Sequence, residues 1–322
     1  MDPRSRGYRQ GVEAGSALHA SLLGRSPPMV VQVCYSRAVR FGAHVSVRGR
    51  LPKAVARAVA IGCECLQIFV GNPRQWRPVS YPPADLEEFR RARAACRLDP
   101  LVAHTPYLVN LAATGEVYER SVRALGHALE VVEALEGLGV VTHIGSARDC
   151  GFAEAVRRVA RAVRRGLAAT DHALVLLEGS AGNTLGGTFR ELEALVDALD
   201  GDRRVGICLD TAHLHATGWD LRTPEGVEAM LGAFHAQVGL ERLRLVHLND
   251  TRVPCGSRRD SHENIGAGRI GLAGFRALVN HPWLDSLCGI IETPGFGEQG
   301  PDRRNLEVLK SLRAKAVGEA GR

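Results

Sequence analysis

Residues 247–268 read HLNDTRVPCGSRRDSHENIGAG. Gly or Pro occupies four of these positions and no long apolar run occurs, which predicts a long loop. The loop follows an apolar, strand-like run at 243–246, and loops of this length in compact domains are usually functional or disordered. Asp260 and His262 stand two residues apart, so their side chains project to the same side of an extended segment. A carboxylate and an imidazole placed in this way suit zinc or manganese, and the alternative is a solvated turn.

Length and composition are those of a globular protein. The chain has 322 residues, of which 45% are hydrophobic and 24% are charged. This is enough for one large α/β barrel or two ordinary domains. No apolar run approaches the ~18 residues that a membrane span requires. Because the first forty residues also lack the compact apolar core of a secretory signal, we expect a cytoplasmic protein.

The basic charge of the chain lies mainly near its N terminus. Residues 1–40 contain six arginines and two acids, a net charge of +4 out of +6 for the whole chain. The remainder carries 35 basic and 33 acidic side chains, so charge alone is poor evidence that it binds nucleic acid. Residues 1–36 mix Gly, Ser, Pro and Arg without periodicity, which predicts a flexible N-terminal extension before a domain at 37–322.

The eight cysteines show no recognisable redox motif. No pair has the C-x-x-C spacing, and several lie in apolar, strand-like runs, where cysteine packs as a small hydrophobic residue. Cys63 and Cys65 are two residues apart, a spacing that leaves a metal pair open. We expect them instead to be packing residues at a strand edge in a reducing compartment.

From residue 40 onward, short apolar runs alternate with amphipathic segments. Apolar residues recur at intervals of three and four within 122–132 and 156–167, which predicts helices. Thr223-Pro224 places a cap residue before Pro and marks another helix start. The predicted strands lie at 41–45, 66–70, 101–104, 140–143, 174–178, 205–210, 243–248 and 288–292. Eight strands alternating with helices predict a single (β/α)8 TIM barrel of the α/β class. The alternative, a doubly wound open sheet, lacks the expected G-x-G-x-x-G after the first strand.

Histidines and carboxylates stand at the ends of six consecutive predicted strands or in the loops that follow. They are His104, His143, Glu178, Asp210, His213, His247, Asp260, His262 and Glu292. Singly, each has an ordinary interpretation as a hydrogen-bonded core histidine or a helix-capping acid. Together they lie on the face where such barrels build active sites, and four carboxylates in one cavity repel each other unless cations neutralise them. The pattern therefore predicts a metal centre, and three ligands per ion leave open positions, as in catalytic sites.

Five segments resemble the endonuclease IV family of apurinic/apyrimidinic DNA-repair endonucleases. They are GAHVS at 42–46, NPRQW at 72–76, YLVNLA at 107–112, LDTAH at 209–213 and HLND…GSRRDSHENIG at 247–266. The resemblance spans residues 40–315, and its last segment is long and specific. It implies a zinc-dependent phosphodiesterase that cleaves 5′ to abasic sites in double-stranded DNA, leaving 3′-hydroxyl and 5′-deoxyribose phosphate ends. It also implies the removal of 3′-blocking groups and a monomeric protein.

The resemblance further implies three zinc ions per chain, held by the nine strand-end residues. The first ion takes His104 and His143, the second takes Asp210, His247 and Glu292, Glu178 bridges them, and the third takes His213, Asp260 and His262. Glu178 and Glu292 are the implied catalytic residues. The family usually has Pro after the histidine of THIGS (142–146), Asn after the glutamate of EGSAG (178–182), and Cys in place of Ala in DTAH (210–213). These departures lie beside ligands and remove none of them.

Three residues in two loops are the predicted DNA contacts. By motif, Arg74, Gln75 and Tyr107 fill the gap in the base stack when the abasic sugar is turned out. The alternative is that Trp76 and Tyr107 only cover the barrel rim, while His44 either orients a metal ligand or packs in the core. Two other functions stay open: a divalent-metal sugar isomerase or epimerase on the same barrel, and a catalytically silent lesion-binding protein. The isomerase would need one or two metals and no D-x-H in its seventh loop.

Overall fold

The structure is a computed structural model and describes residues 38–182 and 184–314. The flexible extension predicted for residues 1–36 lies outside the described residues. Within the described ranges, no helix combines the length and the apolar character needed to cross a membrane.

Eight parallel strands form a closed barrel in which the first strand pairs with the last. The strands are β1 (Arg40–Val45), β2 (Cys65–Phe69), β3 (Leu101–His104), β4 (Gly139–His143), β5 (Leu174–Glu178), β6 (Val205–Asp210), β7 (Leu243–His247) and β8 (Cys288–Ile291). Each predicted strand is present, and its ends differ from the observed ends by at most about one residue, within the usual uncertainty of element boundaries. The predicted TIM barrel is confirmed.

Helices connect the strands and cover the outside of the barrel. They are α1 (Lys53–Ile61), α2 (Pro83–Ala95), α3 (Gly115–Ala134), α4 (Phe152–Leu167), α5 (Phe189–Asp197), α6 (Thr211–Thr217), α7 (Pro224–Gln237), α8 (Gly271–Val279) and α9 (Arg303–Leu312). The apolar face predicted for α3 is buried, since Leu125 and Leu129 are fully shielded from solvent. The predicted start of α7 is also confirmed, because the Thr223 side chain accepts a hydrogen bond from the backbone N–H of Gly226.

The alternation of side chains along the strands positions the functional end of the barrel. A small apolar cluster fills the interior and comprises Cys65, Val102, Val141, Leu176, Cys208, Leu245, Cys288 and Ile290. Because residues i and i+2 face the same side of a strand, the next inward residues are polar. They are Gln67, His104, His143, Glu178, Asp210, His247 and Glu292. A ring of polar groups therefore lies directly above the apolar interior.

Two cysteines of the barrel interior differ from the sequence-based expectation. Cys65 on β2 and Cys288 on β8 form a disulfide, although we expected cysteines in these runs to be reduced packing residues. The two cysteines meet because the barrel closes, which brings strands that are distant in sequence together. Cys63 does not join them. It is partly buried and free, and burial raises the pKa of its thiol to about 12, consistent with packing.

Candidate metal centre

A cavity of about 1210 Å³ opens at the C-terminal ends of the strands. Seven of the nine predicted metal ligands line it, namely His104, His143, Glu178, His213, Asp260, His262 and Glu292. Asp210 and His247, the remaining two, are fully buried at its base. The structure therefore brings all nine residues to one end of the barrel.

The first group of potential ligands is centred on one oxygen of Glu178. Its Oε2 atom lies 3.1 Å from Nε2 of His104 and 3.1 Å from Nε2 of His143. The strand register explains the proximity, because His143 on β4 pairs directly with Glu178 on β5. The other ring nitrogen of His104 lies 2.7 Å from the carbonyl oxygen of Thr105, to which it donates. This leaves Nε2 as the nitrogen with a free lone pair for a cation.

The second group shares Glu178 with the first. Nδ1 of His247 lies 3.4 Å from Oε1 of Glu178, 3.4 Å from Oε2 of Glu292 and 3.8 Å from Oδ2 of Asp210. The four ligand atoms of this group all lie within 4.8 Å of one another. Glu178 thus presents one oxygen to each group, as a bridging carboxylate must.

The third group joins strand β6 to the long seventh loop. Asp210, His213 and His262 offer ligand atoms within 4.8 Å of one another. Oδ1 of Asp260 lies 3.3 Å from Nε2 of His213 and 3.4 Å from Nε2 of His262. Asp210 therefore belongs to both the second and the third group, whereas the resemblance to the endonuclease IV family assigned it to the second group alone.

The geometry of the three groups fits zinc. For ligand atoms about 2.1 Å from the ion, tetrahedral coordination separates neighbouring ligand atoms by about 3.4 Å. The observed separations of 3.1–3.8 Å bracket this value. Nδ1 of His247 and Nε2 of His262 are buried without a hydrogen-bond partner among the described residues. An unpartnered imidazole nitrogen among carboxylates is a suitable ligand for a borderline cation.

The charges of the centre depend strongly on one another. Burial alone would raise the pKa of Glu178, but the attraction of His143 and the close polar contacts with His104 and His143 hold that pKa well below its usual value. Burial lowers the pKa of His213, yet Asp210 and Asp260 raise it well above the ordinary value. The Glu178 carboxylate is therefore ionised at neutral pH, and positive charge must accompany it in this buried site.

Asp210 caps a helix with one oxygen and turns the other toward the metal centre. Its Oδ1 atom caps α6 by accepting hydrogen bonds from the backbone N–H groups of Ala212 and His213, at 2.7 and 3.1 Å. Its Oδ2 atom faces the ligand nitrogens of His247 and His262. One oxygen is structural and the other is available to a metal.

Two buried amides support the centre, and neither was assigned a role from sequence. Gln67 on β2 donates from Nε2 to Oε1 of Glu292 at 2.7 Å and accepts from Nε2 of His247 at 2.9 Å. Asn249 donates to Oδ2 of Asp210 at 2.8 Å and accepts from the backbone N–H of Glu292 at 2.7 Å. A polar residue inside the apolar run of β2 was the one available signal for Gln67. His44 belongs to the same network, since its Nδ1 lies 2.9 Å from Oε1 of Glu292.

The departures from the family pattern leave the support of the ligands intact. His213 donates from Nδ1 to the carbonyl oxygen of Gly179 at 2.8 Å, so the backbone orients this ring whichever side chain follows Glu178. Ile144, which replaces the usual Pro, is buried in the main apolar core. Ala212 contributes its backbone N–H to the cap on Asp210.

One carboxylate that touches no ligand organises the long loop. Asp250 is fully buried. It accepts hydrogen bonds of 2.8–3.2 Å from five backbone N–H groups, those of Thr251, Gly266, Gly268, Ile270 and Gly271. Its own backbone carbonyl accepts from the N–H of Glu263. These hydrogen bonds hold together the two ends of the loop that carries Asp260 and His262.

The three predicted DNA contacts do not all face the same side. Tyr107 borders the cavity of the metal centre and is 57% exposed. The backbone N–H of Tyr107 donates to the carbonyl oxygen of Pro73, and this hydrogen bond joins the loops that follow β2 and β3. Arg74, the residue after Pro73, is exposed. Gln75 instead borders a second cavity behind the loop, as does the partly buried Trp76. Of the three, only Tyr107 therefore lines the cavity of the metal centre.

Several known proteins are similar to this chain. Residues 55–314 match the family model described as a xylose isomerase-like TIM barrel. A probable endonuclease 4 of Methanoculleus marisnigri is 42% identical over 279 residues, covering 85% of this chain and 99% of that protein. The crystal structure of endonuclease IV from Thermus thermophilus has a TM-score of 0.75 and 36% identity, covering 85% of this chain and 98% of that one. A D-tagatose 3-epimerase-like protein has a TM-score of 0.62 at 19% identity over 85% and 97% of the chains, a likeness of fold alone.

Proposed function

Because this chain belongs to the endonuclease IV family, we propose that it hydrolyses the phosphodiester bond 5′ to abasic sites in double-stranded DNA. The products are a 3′-hydroxyl and a 5′-deoxyribose phosphate, and 3′-blocking groups are removed by the same chemistry. The protein is a zinc-dependent DNA-repair enzyme that acts as a monomer in the cytoplasm. The observation that carries this proposal is the convergence of nine histidines and carboxylates in three groups.

The nine residues divide among three zinc ions as their distances suggest. His104, His143 and Glu178 hold the first ion, and Glu178, Asp210, His247 and Glu292 hold the second. His213, His262 and Asp260 hold the third, with Asp210 close to it. Bound zinc supplies a nucleophile at neutral pH and positive charge that stabilises the phosphate and the leaving oxygen.

The protein's own residues set up this chemistry. Glu178 presents separate oxygens to the first two groups and so couples them. Glu292 borders the cavity and is oriented by Gln67 and His44, which both lie within 2.9 Å of its Oε1 atom. We assign the catalytic roles to these two carboxylates, because each is held rigidly and each faces the space that a scissile phosphate would enter.

The third group favours a nuclease over a sugar isomerase. An isomerase or epimerase on this barrel needs one or two metals, whereas Asp260 and His262 add a further group from the long seventh loop. The likeness to a sugar epimerase rests on fold alone at 19% identity. A phosphate with several anionic oxygens, however, gives three cations a role in binding and catalysis.

Incision of a duplex with a single abasic site tests the proposal. We expect cleavage on the 5′ side, about three zinc ions per chain by elemental analysis, and loss of activity with a chelator. A protein that holds zinc and binds the abasic duplex without cutting it would be a silent lesion-binding protein. Full activity with one equivalent of metal would contradict the trinuclear assignment.

A further inference from the structure

A second cavity lies between the loop that follows β2 and the outer face of α3. Its volume is about 550 Å³, which is in the range of small-molecule sites. Residues 70–79 form one wall and α3 forms the other, and none of the nine ligand residues borders it. We call it the α3 cavity. It shares Gly71, Asn72 and Val79 with the cavity of the metal centre, so the loop after β2 borders both.

The lining of the α3 cavity combines flat apolar groups with amides. Trp76, Pro78 and Pro106 contribute apolar surface, and an indole face is a good platform for a planar ring. Asn72 and Gln75 add two side-chain amides. Gln75 makes no side-chain hydrogen bond with the described residues, and Asn72 uses only Oδ1, which accepts from the N–H of Arg74. Amides of this kind recognise adenine by accepting and donating at one ring edge.

Four arginines and one acid, Glu130, border the α3 cavity. Arg120 and Arg165 are paired with Glu116 and Glu119 of α3. Arg77 and Arg123 also border the cavity and make no hydrogen bond or ion pair with the described residues. Unpaired guanidinium groups beside an apolar cleft suit a phosphate, which they bind in a bidentate manner.

A glycine keeps the α3 cavity open. Gly126 lies in the middle of α3, where glycine is destabilising relative to alanine. Packing does not require it, because a Cβ atom at this position would meet nothing within 4 Å. Gly126 therefore gives up helix stability at a point where any larger side chain would enter the cavity.

We propose that the α3 cavity binds an adenine mononucleotide. The base lies among Trp76 and the two amides, and the phosphate lies at the rim with Arg77 and Arg123. Because the loop at 70–79 also borders the metal centre, an occupied α3 cavity would hold that loop in place. The inference does not rest on the reaction at the metal centre.

Isothermal titration calorimetry of the full-length, metal-loaded protein with AMP tests this site. We expect saturable binding that is weakened at least ~tenfold by Gly126→Leu, which fills the cavity. The matched control is Gly232→Leu in α7, since Gly232 is also a mid-helix glycine with nothing within 4 Å, and it should bind AMP like the wild type. AMP that binds through its phosphate at the metal centre would bind Gly126→Leu normally. That result, or no saturable binding at all, overturns the proposal.

Two arginine variants keep the test decisive if Gly126→Leu fails to fold. Arg123→Ala should weaken AMP binding ~tenfold and leave adenosine binding unchanged, because adenosine lacks the phosphate. Arg161→Ala on α4 removes an exposed arginine that does not border the cavity and should change neither. Equal effects of the two arginine variants would overturn the assignment.

Discussion

Gln67 determines which ring nitrogen of His247 carries the proton in the neutral imidazole. An ionised carboxylate only accepts hydrogen bonds, so the amide nitrogen of Gln67 must be the atom 2.7 Å from Glu292. The amide oxygen then accepts from Nε2 of His247 at 2.9 Å. In the neutral imidazole, Nδ1 of His247 is then the unprotonated nitrogen, and it faces Glu178 and Glu292. A neutral amide therefore sets the tautomer of a predicted zinc ligand.

Replacing this amide should weaken metal binding without removing a ligand. For Gln67→Leu we expect zinc affinity at the second group to fall ~10–100-fold, the usual effect of losing a partner of a metal ligand. Competition with a chelating dye measures it. Gln237→Leu, at the exposed end of α7, is the control. Equal zinc affinity in both variants would show that the network does not tune the ion.

Loss of the bridging carboxylate should do more damage than loss of one histidine. Glu178→Gln should release both of the first two ions and abolish incision, because Glu178 faces both groups. His213→Gln should release only the third ion. Elemental analysis and incision rates of the two variants provide the comparison. A Glu178→Gln protein with full zinc content would refute the bridging role.

Substitutions in the two rim loops should separate DNA binding from metal binding. Tyr107→Ala and Arg74→Ala should each weaken binding of an abasic duplex by roughly 1–3 kcal/mol, the scale of a stacking contact. Gln75→Ala should weaken it less, because Gln75 borders the α3 cavity. Fluorescence anisotropy measures the affinities. Zinc content should stay at the wild-type level, and a variant that loses zinc has a structural role at the centre instead.

Acid should remove a stabilising contact between α3 and the turn that precedes β5. The Glu133 carboxylate accepts hydrogen bonds from the N–H groups of Asp171, His172 and Ala173, which lower its pKa from 4.5 to about 2. Because the pKa is lower in the folded state, this stabilisation is complete above pH 4.5 and is lost as the pH falls toward 2.

Glu133→Gln tests this dependence by urea unfolding at several pH values. The difference in free energy of unfolding from the wild type should be largest at neutral pH and should shrink below pH 4.5. Taking the difference between the two proteins cancels the contribution of metal release. Glu307→Gln on α9, an exposed acid with no ion pair among the described residues, should show no such pH dependence.

Much of the architecture and of the metal centre could be predicted because both depend on local pattern. A strand such as Leu174–Glu178 is short, apolar and followed by polar loop residues, so its end is visible in the sequence. In a parallel barrel all strand ends meet at one face, so Glu178 and His247 must converge whatever the details of packing. The resemblance in the seventh loop then added Asp260 and His262 as partners of His213.

The supporting residues depend on contacts that sequence does not show. Gln67 is one polar residue in an apolar strand, and its contacts with His247 and Glu292 exist only because the barrel closes. Gln75 was predicted to act together with Tyr107, yet the path of the loop turns Gln75 toward a different cavity. The Cys65–Cys288 disulfide likewise joins residues 223 positions apart.

The closed base of the seventh loop has a consequence for how the third ion is acquired. Asp250 fixes the returning segment at Gly266 and Gly271 through hydrogen bonds within the protein, so this anchor requires no metal. Asp260 and His262 stand just ahead of that fixed point, so little chain entropy remains to be lost when they close on a cation. Ligands that are ordered in advance bind more tightly than ligands that must be gathered by the ion itself. We therefore expect Asp250, which lies outside the three ligand groups, to contribute to the affinity of the proposed third site.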